Sequence, residues 1–101
     1  MKTPFNIALV DDNVFMLNSV EEKLSLFEDI KIKSSNHGGA ELLESLEDDS
    51  HYDLILMDIE MPGLNGVETT AIVKKKYPQI KVVMLTVFDN DDNIFNAIKA
   101  G

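Results

Sequence analysis

Cysteine is absent from the chain. That excludes a disulfide framework and a thiolate metal site, and it fits a reducing cytoplasm. Long apolar runs are missing too: none approaches the roughly 20 residues of a membrane span, so no membrane association is expected. Met1-Lys2-Thr3-Pro4 is followed by no extended apolar segment, so no signal peptide is expected. No G-x-x-x-x-G-K-S/T loop occurs, which argues against an NTPase even though Leu54 to Asp58 resembles the acidic strand of one. Gly38-Gly39 lacks the spacing of a dinucleotide-binding loop and reads as a turn. Asp89, Asp91 and Asn93 have the spacing that opens a calcium loop, but Ile94 stands where Gly is needed and Ala100 where Glu is needed. Positive charge is scarce: Lys and Arg total 9 against 18 Asp and Glu, a net charge of -9. Phosphate backbones are neutralised by Lys and Arg, so direct nucleic-acid binding is not expected.

What is present suits one small domain. The 101 residues are 45% hydrophobic, enough for one modest core. Tyr52-Asp53-Leu54-Ile55-Leu56-Met57-Asp58 is the organising stretch. Its apolar run has no polar alternation, so it reads as a strand buried on both faces of a parallel sheet, delivering Asp58 to the carboxyl edge. Phe5 to Val10 is a second such run, ending in Asp11-Asp12. Asn13 reads as an N-cap, with Val14, Leu17, Leu24 and Phe27 at helical spacing behind it and Glu28-Asp29 closing the helix. Ile30 to Ser34 alternates and suits a strand near the sheet edge, where Lys discourages stray pairing.

His37-Gly38-Gly39 reads as a turn, and Ala40, Leu42, Leu43 and Leu46 mark a short helix. Asn65-Gly66 opens a third helix with Val67, Thr70, Val73 and Tyr77 along one side, Lys74-Lys75-Lys76 at its negative end, and Pro78 as its stop. Ile80 to Leu85 is another buried strand, ending at Thr86. Ile94, Ala97 and Ile98 mark a fourth helix with Gly101 at its end. His37 and His51 read as surface residues, Met57 and Met84 as core, Met61 as a site rim, and Phe88 and Phe95 as packing residues. Strand and helix thus alternate four times, which predicts an α/β domain with a parallel sheet and helices on both faces. The last strand would form an open edge; a further strand and helix, on the order of twenty residues, are expected to complete the domain.

If the strands ending in Asp11-Asp12 and Asp58 are neighbours, three carboxylates meet at one edge. A pair about 4 Å apart costs on the order of 4 kcal/mol at an effective dielectric of ~20. Either one takes a proton or a cation neutralises them. All-oxygen ligands with room for water suit Mg²⁺. A phosphoryl group could then sit beside Asp58, whose carboxylate can attack phosphorus to give an acyl phosphate, with Thr86 donating its hydroxyl to a phosphoryl oxygen. The plainer alternative is that acids at strand ends open loops and cap helices.

These residues together resemble a response-regulator receiver domain of two-component signalling, over the whole chain. The resemblance rests on Asp11-Asp12, Asp58, Met61-Pro62-Gly63, Asn65-Gly66, Thr86 and Ala97-Ile98-Lys99-Ala100-Gly101. Met84-Leu85-Thr86-Val87-Phe88 and the final five residues are most similar to receivers with a LuxR-type helix-turn-helix output. The resemblance implies a CheY-like, flavodoxin-like doubly wound sheet of order 2-1-3-4, with a fifth strand expected beyond it, so that residues 1–101 form four of five strand–helix units. Asp58 would accept a phosphoryl group from a sensor histidine kinase or phosphotransfer protein. Asp12, Asp58 and the backbone carbonyl of Glu60 would ligate Mg²⁺, with Asp11 acting through a water. Thr86 would be the switch hydroxyl.

The family's Lys and aromatic switch residue belong to the fifth strand; Lys81 and Lys99 do not stand in for the former, and Val87 is bulkier than the Ala or Gly often found after the switch residue. The implied partners are a kinase and a DNA-binding output domain outside this chain, and the open edge leaves room for a homodimer. The implied role is a cytoplasmic phosphoacceptor switch that is not a turnover enzyme. A non-phosphorylated pseudo-receiver scaffold is the alternative, and an aspartyl-phosphate hydrolase would need Asp where Glu60 stands.

Overall fold

The computed structural model describes residues 5–58 and 63–85. Four strands alternate with three helices: β1 (Phe5–Val10), α1 (Val14–Leu24), β2 (Ile30–Asn36), α2 (Gly39–Asp48), β3 (Leu54–Asp58), α3 (Gly66–Lys76) and β4 (Lys81–Leu85). All neighbouring strands pair in parallel, in the order β2-β1-β3-β4. The expected fold class and strand order are therefore observed. The expected fourth helix, with Phe88, Phe95 and Gly101, lies outside the described residues, as do Met61 and Val87.

Parallel strands alternate their side chains between two helical layers, and β1 and β3 bury both sets. Ile7, Leu9, Leu54 and Leu56 meet Leu17, Val20 and Leu24 of α1 on one face. Ala8, Val10, Ile55 and Met57 meet Leu42 and Leu46 of α2 and Val73 of α3 on the other. Leu54 to Met57 are completely buried, so β3 is the central strand that its unbroken apolar run predicts.

Several finer expectations are corrected. Helix α1 ends at Leu24 with Ser25 as its C-cap, well before Glu28-Asp29. Its buried stripe is Leu17, Val20 and Leu24, while Val14 and Phe27 are exposed. In α3 the buried residues are Gly66, Thr69, Thr70 and Val73, and Val67 faces out. Gly39 begins α2 instead of belonging to a turn, with Gly38 as N-cap and Ala40 exposed. Met84 is half-buried where a core position is expected. For Gly39 and the face of α3 the cause is close approach of small residues between α2 and α3. A Cβ on Gly39 would stand 2.1 Å from Thr69 Oγ1 and 3.1 Å from the Leu64 carbonyl oxygen. No large side chain fits between α2 and α3 there.

Strand β2 lies at a sheet edge and carries a bulge. Ile7 pairs with Ile32 but Ala8 pairs with Ser34, so Lys33 is the extra residue. Its ammonium reaches the Asp49 carboxylate and the His51 carbonyl, each at 2.8 Å, and lies 4.7 Å from the centre of the Tyr52 ring. Donation from Lys33, then from the His51 backbone and ring, holds the exposed Asp49 carboxyl well below the usual range. His37 and His51 are exposed, as expected.

Candidate functional site

The strand order decides where the site lies. After β1 the chain leaves for β2 on one side of it, and after β2 it returns to form β3 on the other side. Loops that diverge in this way open a crevice at the carboxyl edge. The register pairs Val10 with Met57, so one step further on brings Asp11 alongside Asp58. One carboxylate oxygen from each of Asp11, Asp12 and Asp58 lies within 4.8 Å of the others. Asp11 and Asp58 are half-buried and Asp12 is exposed.

Local structure fixes this cluster from several sides. The Asp11 N–H donates to the carbonyl of Asn36 at 3.0 Å, tying the end of β1 to the end of β2. The Asn13 N–H donates to Asp11 Oδ1 at 2.9 Å. Asn13 is the N-cap of α1, its side-chain oxygen accepting from the N–H groups of Phe15 and Met16. The first turn of α1 carries no acid of its own, so its positive end acts on Asp11 and Asp12. Even so, burial raises the Asp11 pKa above its usual value, and the charge of Asp12 adds to the rise. The Asn13 N–H and the contact with Asp58 pull the other way without cancelling it. The cluster thus holds more negative charge than its surroundings favour.

Its donor set fits Mg²⁺. Carboxylate oxygens are hard ligands, and oxygens about 2.1 Å from a six-coordinate ion lie up to ~4.2 Å apart, so the observed spread needs only slight closure. Asp12 and Asp58 as direct ligands, with Asp11 near enough to act through a water, would leave other positions open to water or an anion.

Across the crevice, the loop after β3 passes through Gly63 at a φ of 74°, a left-handed conformation that favours glycine. Asn65 then caps α3 by a reciprocal pair: its Oδ1 accepts from the Glu68 N–H at 2.8 Å, and Glu68 Oε1 accepts from the Asn65 N–H at 3.1 Å. Glu60 and Thr86, expected as a carbonyl ligand and a switch hydroxyl, lie outside the described residues. The structure does bring together Asp11, Asp12 and Asp58.

Sequence reasoning missed the polar side chains behind the cluster. Asn36 is buried, bonding to the Leu9 carbonyl, Ser34 and Ser45. Its neighbours in sequence are Ser35 and His37, so it reads as the start of a polar turn. Only the bulge, which shifts β2 by one residue, turns it inward.

A profile of the response regulator receiver domain matches residues 7–101 of the chain. The chain is 36% identical over 98 residues to the response regulator protein VraR of Staphylococcus saprophyticus, covering 97% of this chain and 46% of that protein. It therefore spans about half the length of the curated relatives it matches. Among solved structures, the RcsB response regulator of Salmonella typhimurium, described in terms of conformational dynamism for DNA interaction, superposes with a TM-score of 0.79 at 17% identity, over 99% of this chain and 51% of that one. CheY from the CheX–CheY–BeF3–Mg complex of Borrelia burgdorferi gives 0.78 at 21% identity, over 98% and 74%. At these identities the structures establish the shared fold.

Proposed function

The chain belongs to the response regulator receiver domain family, and from that premise we propose that it is the phosphoacceptor switch of a two-component pathway, with Asp58 as the acceptor. The observation that carries this reading is the meeting of Asp11, Asp12 and Asp58 at the carboxyl ends of adjacent strands. In the proposed step an Asp58 carboxylate oxygen attacks the phosphorus of a phosphohistidine in line. The new O–P bond forms as the P–N bond breaks, and the electron pair leaves with the imidazole nitrogen. Asp12, Asp58 and the Glu60 backbone carbonyl hold Mg²⁺ in this reading, and Asp11 reaches it through a water. The ion supplies positive charge opposite the carboxylates and phosphoryl oxygens. Asp58 must be ionised to attack, while Asp11 and Asp12 keep that edge selective for a cation. Thr86 donates its hydroxyl to the new phosphoryl group and so reports its presence.

The donor is a sensor histidine kinase or phosphotransfer protein. The effector is an output domain outside this chain, and the resemblance to receivers with a LuxR-type helix-turn-helix output, with the DNA interaction for which RcsB is described, supports a DNA-binding one. With a net charge of -9 this domain itself does not bind nucleic acid in the proposed reading. No helix among the described residues is long and apolar enough to cross a membrane; the proposed site of action is the cytoplasm. The domain acts as a signalling module, not as a turnover enzyme.

Phosphoramidate, a simple P–N donor, provides the test. In the presence of Mg²⁺ it should label wild type on the peptide containing Asp58 and leave Asp58→Asn unlabelled. Label retained in Asp58→Asn would place the acceptor elsewhere, and no label on wild type would favour a pseudo-receiver scaffold. Steady turnover of p-nitrophenyl phosphate would favour a hydrolase.

A further inference from the structure

We propose that Asn36 is a positioning residue for the acidic site, a buried amide that clamps the end of β1 and so sets where Asp11 and Asp12 stand. The proposal rests on the cation-site reading above. Asn36 is the last residue of β2 and only 2% exposed. A buried amide is costly unless its donors and acceptor are used. Here they are: Nδ2 donates to the Leu9 carbonyl at 3.1 Å and to Ser34 Oγ at 3.0 Å, and Oδ1 accepts from Ser45 Oγ at 2.9 Å. The Asn36 backbone carbonyl accepts the Asp11 N–H at 3.0 Å. One residue thus grips β1 on both sides of Val10, through the Leu9 carbonyl and the Asp11 amide.

The grip is anchored from behind. Ser45 lies on α2, and Ser34 also accepts from the Tyr52 hydroxyl at 2.9 Å. The anchor is therefore α2 and the residues entering β3. The bulge at Lys33 is what makes this possible, because it turns Ser34 and Asn36 to the α2 side of the sheet. An apolar side chain would fill the same space with no desolvation cost. The amide adds a fixed distance between the end of β1 and its neighbours, and Asp11, directly beyond, is tethered by it. Partners that orient ligands without touching the ion are commonly worth tenfold or more in metal affinity.

The test combines amide hydrogen exchange at Asp11 in the metal-free protein with calorimetric titration of Mg²⁺. Asn36→Leu combined with Ser45→Ala removes the side-chain half of the grip, the bond to the Leu9 carbonyl, keeps the backbone bond from the Asp11 N–H, and leaves no polar atom of Ser45 unpaired on α2. It should speed exchange at Asp11 and weaken Mg²⁺ binding, each by about tenfold. Ser45→Ala alone keeps both Nδ2 bonds and should change either quantity by less than about threefold. Leu24→Ala, a core cavity at the far end of α1, should leave the Mg²⁺ affinity unchanged despite lower stability. A folded double variant with wild-type exchange and affinity overturns the proposal, as does an equal loss of affinity in Leu24→Ala. If the double variant does not fold, the wild type decides: Asn36 side-chain amide protons should be protected and show coupling across the hydrogen bond to the Leu9 carbonyl, and exchange at solvent rates overturns the clamp. Protection at Asp11 and Asn36 in a wild type that binds no Mg²⁺ would instead remove the cation-site reading, and this role for Asn36 with it.

Discussion

Asp11 carries the electrostatic tension of the site in a single group. Its pKa is raised, chiefly by burial and then by Asp12. A carboxyl whose pKa is raised on folding contributes most below its unfolded value, and that contribution is lost as pH rises through the folded value. The metal-free protein therefore bears this cost once pH has risen through the folded value. Asp11→Asn keeps the oxygen that accepts from Asn13 and removes the charge. It should stabilise the metal-free fold above the usual value of 3.8, and the gain should vanish below it. Denaturant unfolding with and without Mg²⁺ checks this, because saturating Mg²⁺ should reverse the order of the two proteins. Asp49 acts in the opposite sense. Its depressed pKa, due first to Lys33, stabilises above the unfolded value and is lost as pH falls. Thr70 tests burial without charge: its hydroxyl is buried with no hydrogen-bond partner among the described residues. Thr70→Val should raise stability by about 1 kcal/mol, since only an unmet donor is removed; a loss of that size in the unfolding midpoint would show that the hydroxyl is satisfied in solution.

At the scale of elements, the strands were legible and the helix faces less so. Phe5 to Val10 and Leu54 to Met57 announce themselves because a parallel strand buried on both sides must be apolar throughout. The faces of α1 and α3 mislead because Val14, in the first turn of α1, and Val67, beside the buried Gly66, are both exposed. The stripe of α3 is built from Gly66, Thr69 and Thr70, which hydropathy does not mark as core. Close approach of α2 and α3 explains the choice. Gly39→Ala should cost about 1–3 kcal/mol by overpacking, and Thr69→Ala in the same chain should recover part of it, because the nearer of the two blocking atoms is then gone. A double-mutant cycle by denaturant unfolding measures the coupling, and strictly additive losses would contradict the contact. The capping box of α3 is half legible in the sequence: Asn65-Gly66 marks the helix opening, whereas the pairing of Glu68 with Asn65 emerges only from the structure. Asn65→Ala should cost about 1 kcal/mol, and a loss no larger than at an ordinary surface position would show that the reciprocal bonds do not form in solution.

For the whole molecule, the acidic residues could be read from the sequence, but their convergence depended on strand order. Asp11-Asp12 and Asp58 are more than 40 residues apart along the chain, and only the placement of β1 beside β3 makes them one site. The polar clamp behind them was illegible because it depends on a one-residue bulge in β2, which no periodicity predicts. A net charge of -9 supplies a diffuse attraction for cations, and in the proposed function the clustered carboxylates localise one of them. The central claim is that this cluster makes Asp58 a Mg²⁺-dependent phosphoryl acceptor. The most direct measurement is the intact mass of the protein after incubation with acetyl phosphate, with and without Mg²⁺, for wild type and Asp58→Asn. The account predicts a gain of one phosphoryl group by wild type with Mg²⁺ only, and none by Asp58→Asn; a wild type that gains nothing with Mg²⁺, or an Asp58→Asn protein that is still phosphorylated, would contradict it.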